Sequence, residues 1–309
     1  MSVSRNILLW ASKNDLMKKH IPNMRFVRNA VKKFMPGETI DDAILATKEL
    51  LKKNIPTTFT HLGENITTLE EAQINAKHYV ELLDRISSEK INTEISLKLT
   101  HIGLDLSFEK TSELFLQIAE KAELLNNCVF IDIEDSSYVD RTLNFYKKVK
   151  EKKNNVGICL QAYLYRTFQD IKEMIDINPW IRLVKGAYKE PPSVAYKKLN
   201  DVNKNYLMIS KYLLQKLSQK NIRVAFATHD INLQEQIKVE SMKLRLEKAK
   251  FEFQMLYGIR TLDQYRLASD GYIIRTLISY GEHWYPWYLR RLAERPANTL
   301  FVLKNIFNK

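Results

Sequence analysis

Apolar residues recur along the chain in two alternating patterns. Short runs rich in β-branched and aromatic residues predict strands, and the longer segments between them, apolar on one side only, predict helices. Eight strands are predicted, at Thr57–His61, Glu94–Leu99, Val129–Ile133, Gly157–Gln161, Ile181–Lys185, Arg223–Ala227, Phe251–Met255 and Gly271–Thr276. The clearest helices are predicted at Leu69–Ser87, Phe108–Asn126, Ser137–Lys152, Val194–Gln219 and Asn232–Lys248.

Eight strands, each followed by a helix, predict an α/β fold of the (β/α)8 TIM-barrel type. A doubly wound parallel sheet is the alternative. The chain has neither G-x-G-x-x-G nor a P-loop motif, and this absence favours the barrel. One helix start carries a local signal as well, because Thr68 is followed three residues later by Glu71, the spacing of a capping box.

Two segments lie outside the repeat. Residues 1–54 are basic and helical in pattern, with Pro22 and Pro36 as interruptions, so we predict an N-terminal helical arm. Residues 55–309 are then the catalytic barrel domain, and the residues from Trp284 onward form its eighth helix.

The composition adds a charge question. With 48 Lys and Arg against 36 Asp and Glu, the formal net charge is +12, which suggests a polyanionic partner. The densest basic run, KKVKEKK at 147–153, is on a predicted outer helix and has no interleaved aromatic residues, so we expect no nucleic-acid partner. The two cysteines make neither a disulfide framework nor a zinc site, and no apolar run of 18 residues occurs, so we expect a cytoplasmic protein without a metal.

Side-chain alternation predicts a polar interior at one end of the barrel. In the second strand Ser96, Lys98 and Thr100 share the inward face, and Asp132 faces inward in the third strand. Lys98 and Asp132 lie late in adjacent strands, where they can neutralise one another. Barrel enzymes carry their active sites at this carboxyl end of the strands, which we call the mouth. The alternative is an ion pair that only fills the interior.

More polar residues are predicted to cluster at the mouth than a structural interior needs. Barrel interiors are ordinarily filled by Val, Ile and Leu. Here the strand ends carry Gln161, Lys185, Thr228, His229, Glu252 and Gln254. The sequence therefore favours a functional mouth.

The last helix carries a pair of arginines. Arg290 and Glu294 are i,i+4 partners, and Arg291 projects about 100° further round the helix. Adjacent guanidinium groups suit a carboxylate or a phosphate, although the same residues also fit a solvated charged face.

Seven segments in order resemble the proline dehydrogenase family in its short monofunctional bacterial form. The matching segments are ISLKLTHIGLDLS (95–107), IDIEDS (131–136), VGICLQAYLYRT (156–167), RLVKGAYKEP (182–191), FATHD (226–230), FEFQMLYGIR (251–260) and RRLAERPAN (290–298). The resemblance implies an FAD-dependent barrel enzyme that oxidises L-proline, or a proline-like cyclic amino acid, by hydride transfer to flavin N5. The product is an imine of the Δ1-pyrroline-5-carboxylate type, the first step of proline catabolism.

The resemblance also implies partners. The family passes electrons to membrane quinones, so a quinone acceptor and a peripheral contact with the inner face of an anionic membrane are expected. A separate pyrroline-5-carboxylate dehydrogenase is expected to consume the product.

Site residues follow from the same segments. The resemblance implies that Lys98, Arg290 and Arg291 bind the substrate carboxylate and that Glu294 pairs with Arg290. It also implies that Asp132 lies beside Lys98, near the flavin ring. The residues matching flavin-contacting positions are Gln161, Arg182, Val184, Lys185, Gly186, Ala187, Thr228, His229, Gln254 and Tyr257.

Two aromatic positions depart from the family pattern. Leu277 stands where the family has a tyrosine after the eighth strand, and Trp287 stands where it has a second, substrate-facing tyrosine. Ser279 also replaces a family proline. The part of the pocket remote from the carboxylate is therefore reshaped, and we hypothesise that a ring-substituted proline is preferred.

An aldolase is the more distant alternative. Lys98 or Lys185 could form a Schiff base with a carbonyl substrate. Borohydride trapping on a colourless protein would favour that interpretation, and bound flavin would exclude it.

Overall fold

The computed structural model describes residues 31–63 and 66–294, the isolated residues Asn14, Met17 and Val27, and side chains as far as Leu289. Eight parallel strands close into a barrel in sequence order, each pairing with the next and the last with the first. This confirms the predicted fold. The strands are β1 Thr57–His61, β2 Thr93–Leu97, β3 Val129–Ile131, β4 Val156–Gln161, β5 Trp180–Val184, β6 Arg223–Ala227, β7 Glu252–Leu256 and β8 Ile273–Tyr280.

A helix follows each strand and covers the outside of the barrel. The helices are α1 Ile40–Leu51, α2 Leu69–Ser88, α3 Phe108–Leu124, α4 Val139–Lys150, α5 Thr167–Met174, α6 Leu199–Leu217, α7 Ile231–Lys243, α8 Thr261–Ser269 and α9 Trp284–Glu294. The sequence predicted a helix after each strand but gave no bounds for α5 and α8, which have eight and nine residues and are too short for a clear helical period. The capping box of α2 is confirmed, since Glu71 N–H donates to Thr68 Oγ1 and Thr68 N–H donates to Glu71 Oε2, both at 3.2 Å.

The alternation along the strands separates an apolar outer face from a polar inner one. Phe59, Ile95 and Leu97 are fully buried in the shared core with the helices. Ser96, on the other face of β2, bonds to groups from β3 and β5 across the interior. The predicted orientation of β2 is therefore correct.

Three strand ends differ from the prediction, and each difference moves a candidate residue. β2 ends at Leu97 and β3 at Ile131, so Lys98 and Asp132 follow their strands instead of lying inside them. Lys98 precedes a 3-10 helix at Leu99–Ile102. β8 continues to Tyr280, so Leu277 lies within the strand and not after it.

The segment before the barrel packs closely against it. Ala43, Ile44 and Leu50 of α1 belong to the barrel's own core, and Thr47 Oγ1 lies 2.9 Å from Thr57 Oγ1 of β1. The 54/55 domain boundary stays a prediction. No helix in the described ranges is long and apolar enough to cross a bilayer.

A candidate active site at the mouth of the barrel

Asp132 and Arg182 form an ion pair at the centre of the mouth. Arg182 Nη1 lies 2.7 Å from Asp132 Oδ1 and 2.9 Å from Ser96 Oγ, and Ser96 donates to the same carboxylate oxygen at 2.5 Å. Thr60 Oγ1 lies 3.5 Å from the other oxygen. The guanidinium that Asp132 contacts thus comes from β5, on the far side of β4, which side-chain alternation did not predict.

Arg182 is almost completely buried, yet only part of its guanidinium is used. It is 2% exposed, and its Nε and Nη2 atoms have no hydrogen-bond partner in the described part of the chain. Its carbon Cζ lies 4.6 Å from the centre of the Phe130 ring. Buried N–H donors are costly to leave unpaired, so these two nitrogens are available to donate to a bound ligand or a water molecule.

The connections after β2, β3 and β4 are joined by Glu134. Its carboxylate accepts from Thr100 N–H at 3.2 Å and from Thr100 Oγ1 at 2.7 Å, and its carbonyl accepts from Gln161 Nε2 at 2.8 Å. These bonds tie the segment that follows Asp132 to the segment after β2 and to the end of β4.

The connection after β5 carries three of the predicted flavin contacts. Lys185 Nζ lies 2.7 Å from Asp230 Oδ2, at the start of α7. Burial opposes the ionisation of Asp230, but the hydrogen bond and charge of Lys185 outweigh it, so the pKa of Asp230 is lowered. Gly186 has φ +113°, and a Cβ there would lie 2.2 Å from the Tyr163 ring, so only glycine fits. Val184 and Ala187 are half-buried beside them.

The ends of β6 and β7 supply a second group of predicted contacts. Thr228 is buried, and its Oγ1 accepts from Asp230 N–H at 3.2 Å. His229 Nε2 accepts from Leu256 N–H at 3.0 Å, and Tyr257 N–H donates to Leu277 O at 2.9 Å. Burial raises the pKa of the half-buried Tyr257 hydroxyl. These contacts hold the three predicted residues at the mouth.

Gln254 and Glu252 lie nearer the amino-terminal end of the barrel strands than their polarity suggested. Glu252 is the first residue of β7, so its predicted place among the mouth residues was wrong. Gln254 Nε2 donates to Glu252 Oε1 at 2.5 Å. Glu252 also accepts from Arg223 at 3.1 Å and from Arg275 at 3.2 Å, and both arginines contact Glu94, at 2.6 and 3.2 Å. This four-membered ionic network, which we call the floor, closes the amino-terminal end of the barrel.

The residues that depart from the family pattern lie along β8 and α9. Leu277 is half-buried and pairs in register with Thr58 of β1 and Leu256 of β7. Ser279 and Thr58 are buried, and their hydroxyl oxygens have no partner among the residues described. Trp287 is half-buried against a cluster that includes Val31 and Leu62.

The remaining carboxylate-binding candidates are only partly described. Lys98 is half-buried at the mouth, directly after β2. The backbone of α9 includes Arg290, Arg291 and Glu294, but their side chains lie outside the described residues.

Three imidazoles cluster around the end of β1, His61 from β1 itself, His78 from α2 and His101 from the 3-10 helix after β2. The ring of His61 lies 4.2 Å from that of His78 and 5.3 Å from that of His101, and His78 Nε2 lies 2.7 Å from the Tyr280 hydroxyl. Burial, with the neighbouring imidazoles, lowers the pKa of His61 to about 3. Within the described ranges no group of three or more His, Cys, Asp or Glu side chains could hold a metal ion.

The arrangement fits FAD. The unpaired Arg182 nitrogens supply buried donors for an acceptor-rich ring system, Lys185 supplies a cation, and the bare backbone at Gly186 allows close approach. Sequence reasoning missed Ser96, Tyr163 and Glu190 as contributors. Alternation did place Ser96 on the correct face, but Glu190 lies in a connection without periodicity.

Comparisons with known proteins identify one family over most of the chain. The model of the family described as proline dehydrogenase matches residues 43–304. Proline dehydrogenase 1 of Bacillus subtilis subsp. natto is 38% identical over 99% of both chains, and proline dehydrogenase 2 of the same organism is 35% identical over the full length of both. The proline dehydrogenase of Deinococcus radiodurans is 34% identical over 90% of both chains.

A solved structure shows the same fold. Proline utilization A of Bdellovibrio bacteriovorus superimposes with a TM-score of 0.82 at 24% identity, covering 95% of this chain and 38% of that one. The aldolase alternative is therefore set aside. The chain belongs to the proline dehydrogenase family, the FAD-dependent oxidoreductases that catalyse the first step of proline catabolism.

Proposed function

We propose that the described mouth residues hold FAD and a proline-like amino acid in contact with each other. The observation that carries the proposal is the guanidinium of Arg182, which is buried beside Asp132 with two nitrogens unpaired within the described structure. When bound, FAD supplies the hydride acceptor. The substrate loses a hydride from the ring carbon beside nitrogen and a proton from that nitrogen, which leaves a C=N double bond.

The flavin-binding part of the proposal rests on β4, β5, β6 and β7 and on the residues that follow them. Arg182 donates from inside the barrel, and Lys185 contributes a cation whose position Asp230 fixes at 2.7 Å. The other residues assigned to the cofactor are Gln161, Val184, Gly186, Ala187, Thr228, His229, Gln254 and Tyr257. Strand ends and short bonded connections hold them, so little of the site has to be ordered when the cofactor binds.

The substrate-binding part rests on charge. Lys98, Arg290 and Arg291 hold the carboxylate, with Glu294 orienting the first arginine. Cations close to the ring lower the pKa of its nitrogen, so the amine is neutral when the hydride leaves. Holding the carboxylate also fixes the ring, which is an orientation effect. Asp132 is oriented by Arg182 and Ser96. The family resemblance pairs it with Lys98, the residue directly after β2.

The aromatic departures bear on substrate choice. Leu277 is half-buried in β8 and lacks the phenolic hydroxyl of the tyrosine that the family has at this position. An apolar residue there leaves room beside the ring, so we propose that a ring-substituted proline is preferred to L-proline.

Leu277→Tyr tests this proposal. The tyrosine refills the space, so kcat/KM for hydroxylated or alkylated prolines should fall about tenfold relative to L-proline, the scale on which a small group in a pocket discriminates. Leu262→Tyr is the control, because Leu262 is 81% exposed. Ordinary saturation with L-proline in the unaltered enzyme, with no analogue faster and no change of preference in Leu277→Tyr, would contradict the substrate proposal.

We further propose a quinone as electron acceptor, reached by a peripheral, charge-driven contact with an anionic membrane from the cytoplasm. The support is the net charge of +12 and the family resemblance. Vesicles containing anionic lipid should pellet the protein at low salt and release it at high salt. Absent binding, or binding that salt does not weaken, would contradict this contact.

The product defines the next reaction. A cyclic imine opens by hydrolysis to an amino aldehyde, and an aldehyde dehydrogenase must consume it. We propose a functional link to a pyrroline-5-carboxylate dehydrogenase. The bifunctional protein PutA of Escherichia coli is a much longer relative. It is 25% identical over 98% of this chain, and the match covers 26% of PutA.

A further inference from the structure

Glu190, which has no assigned catalytic role, forms hydrogen bonds that connect three segments of the mouth. It lies in the long connection between β5 and α6. Its Oε1 accepts from Ser136 N–H at 2.7 Å and from the Tyr163 hydroxyl at 3.3 Å, and its Oε2 accepts from Ser136 Oγ at 2.5 Å. One carboxylate thus holds the connections that follow β3, β4 and β5.

Two of these connections carry proposed site residues. Asp132 begins the connection after β3, four residues before Ser136. Lys185, Gly186 and Ala187 begin the connection after β5 and end three residues before Glu190. The bonds of Glu190 therefore tie the segment of the substrate aspartate to the segment of the proposed flavin contacts.

Tyr163 extends the same arrangement into the flavin segment. Its N–H donates to Lys185 O at 2.8 Å, and its ring covers Gly186 so closely that a Cβ would lie 2.2 Å from it. Burial and the charge of Glu190 raise the pKa of Tyr163 well above its ordinary value, so the hydroxyl remains a donor at working pH. Glu190 thereby fixes the position of the Tyr163 ring, and the backbone at Gly186 packs against that ring.

A free connection of this length would have to be ordered when a ligand binds, at a cost in conformational entropy. Bonds that order it beforehand raise affinity without touching the ligand. We propose that Glu190 is a positioning residue that preorganises the β5–α6 connection for FAD. This inference rests on the proposed flavin contacts of Lys185, Gly186 and Ala187.

The test compares FAD affinity in Glu190→Ala with that of the unaltered protein, using apoprotein titrated with FAD and followed by flavin fluorescence. The dissociation constant should rise about tenfold, and kcat at saturating FAD should stay within about twofold. Ser136→Ala and Tyr163→Phe each remove one of the three donors to Glu190, so each should raise the constant by a smaller factor. Lys189→Ala, an exposed neighbour in the same connection, should leave it unchanged.

The possible outcomes distinguish failure of the proposed function from failure of the inference about Glu190. If the unaltered protein takes up no FAD, the proposed function fails. If it binds FAD and Glu190→Ala binds it equally tightly, the inference about Glu190 alone is overturned. A lowered melting temperature of the Glu190→Ala apoprotein with unchanged FAD affinity overturns it as well, since the role would then be structural. Should Glu190→Ala fail to fold, the affinities of Ser136→Ala and Tyr163→Phe decide, and values equal to the unaltered protein overturn the inference.

Discussion

At the floor of the barrel Arg223 and Arg275 contact both Glu94 and Glu252, so two cations meet two anions. At the mouth Arg182, whose side chain is 3% exposed, contacts Asp132 through one nitrogen and leaves two others without a partner in the described structure. Both regions bury guanidinium groups, which is costly unless they are compensated.

The difference indicates that one end of the barrel contributes to stability and the other to ligand binding. At the floor both guanidinium groups are paired with carboxylates of the protein, which stabilises the fold, and the unpaired buried atoms there among the described residues are acceptors, Glu94 Oε2 and Gln254 Oε1. The mouth leaves donors unused, and those donors become useful only when a ligand supplies the acceptors. Substitutions at the two ends should therefore be distinguishable by what they damage.

The largest effect is expected from Arg182→Lys. Lysine keeps a positive charge for Asp132 but loses the planar group and its unpaired donors. Because the lost donors act on the bound reactants, kcat/KM should fall about 100-fold or more, the scale seen when one preorganised donor is removed from an active site. The melting temperature should change by only a few degrees.

Arg166→Lys is the matched control. Arg166 is 42% exposed and pairs with Asp140 and Asp170, so its replacement should leave kcat/KM unchanged. An Arg182→Lys enzyme as active as the unaltered one would make Arg182 a structural residue like those of the floor.

The opposite pattern is expected from Glu94→Gln. The neutral amide leaves Arg223 and Arg275 with a single carboxylate, so the free energy of unfolding should fall by about 3 kcal/mol. Urea denaturation measures this loss. The kcat/KM of the folded, FAD-saturated enzyme should stay within about twofold.

Glu113→Gln is the control for that change, because Glu113 is 61% exposed and its pair with Lys110 contributes little. A tenfold loss of kcat/KM in Glu94→Gln, at full FAD saturation, would break the division between the two ends.

The smallest effect concerns acid. His61 has a pKa of about 3 against an ordinary 6.5, so the stability that comes from its neutral form is lost as the pH falls below 6.5. Burial opposes ionisation of Glu252, but Arg275 and Arg223 outweigh it and lower its pKa to about 2, so its contribution is lost only below about 4.5. Between pH 7 and 5 the melting temperature should therefore fall less in His61→Gln than in the unaltered protein, while Glu252→Gln should keep the full decrease. Equal decreases in the melting temperature of all three proteins would contradict the assignment of the loss between pH 7 and 5 to His61 at the mouth.

Much of this fold follows from local pattern. Eight apolar runs predict eight strands, and alternation correctly places Ser96 inside the barrel and Ile95 outside it. The exact ends were less predictable. Asp132 and Lys98 follow their strands by one residue, although Asp132 N–H still donates to Leu97 O at 2.8 Å.

The contacts that make the site depend on information that no local pattern contains. Asp132 meets Arg182 across the barrel interior because of the stagger between strands, which closure of the whole barrel sets. Glu252 begins its strand and so lies at the floor, although its polarity suggested the mouth. Glu190 lies in a connection whose course is set by the tertiary fold. The family resemblance supplied residue roles that alternation alone could not.

The most direct test of a flavin-dependent mouth is an anaerobic titration of the purified, FAD-loaded protein with L-proline and with ring-substituted prolines, followed in the visible spectrum. We predict that the flavin bands are present and that they bleach with one of these substrates, slowly or not at all in Arg182→Lys and normally in Glu94→Gln. A protein that takes up no FAD, or whose flavin bands persist with every one of these amino acids, would contradict this prediction.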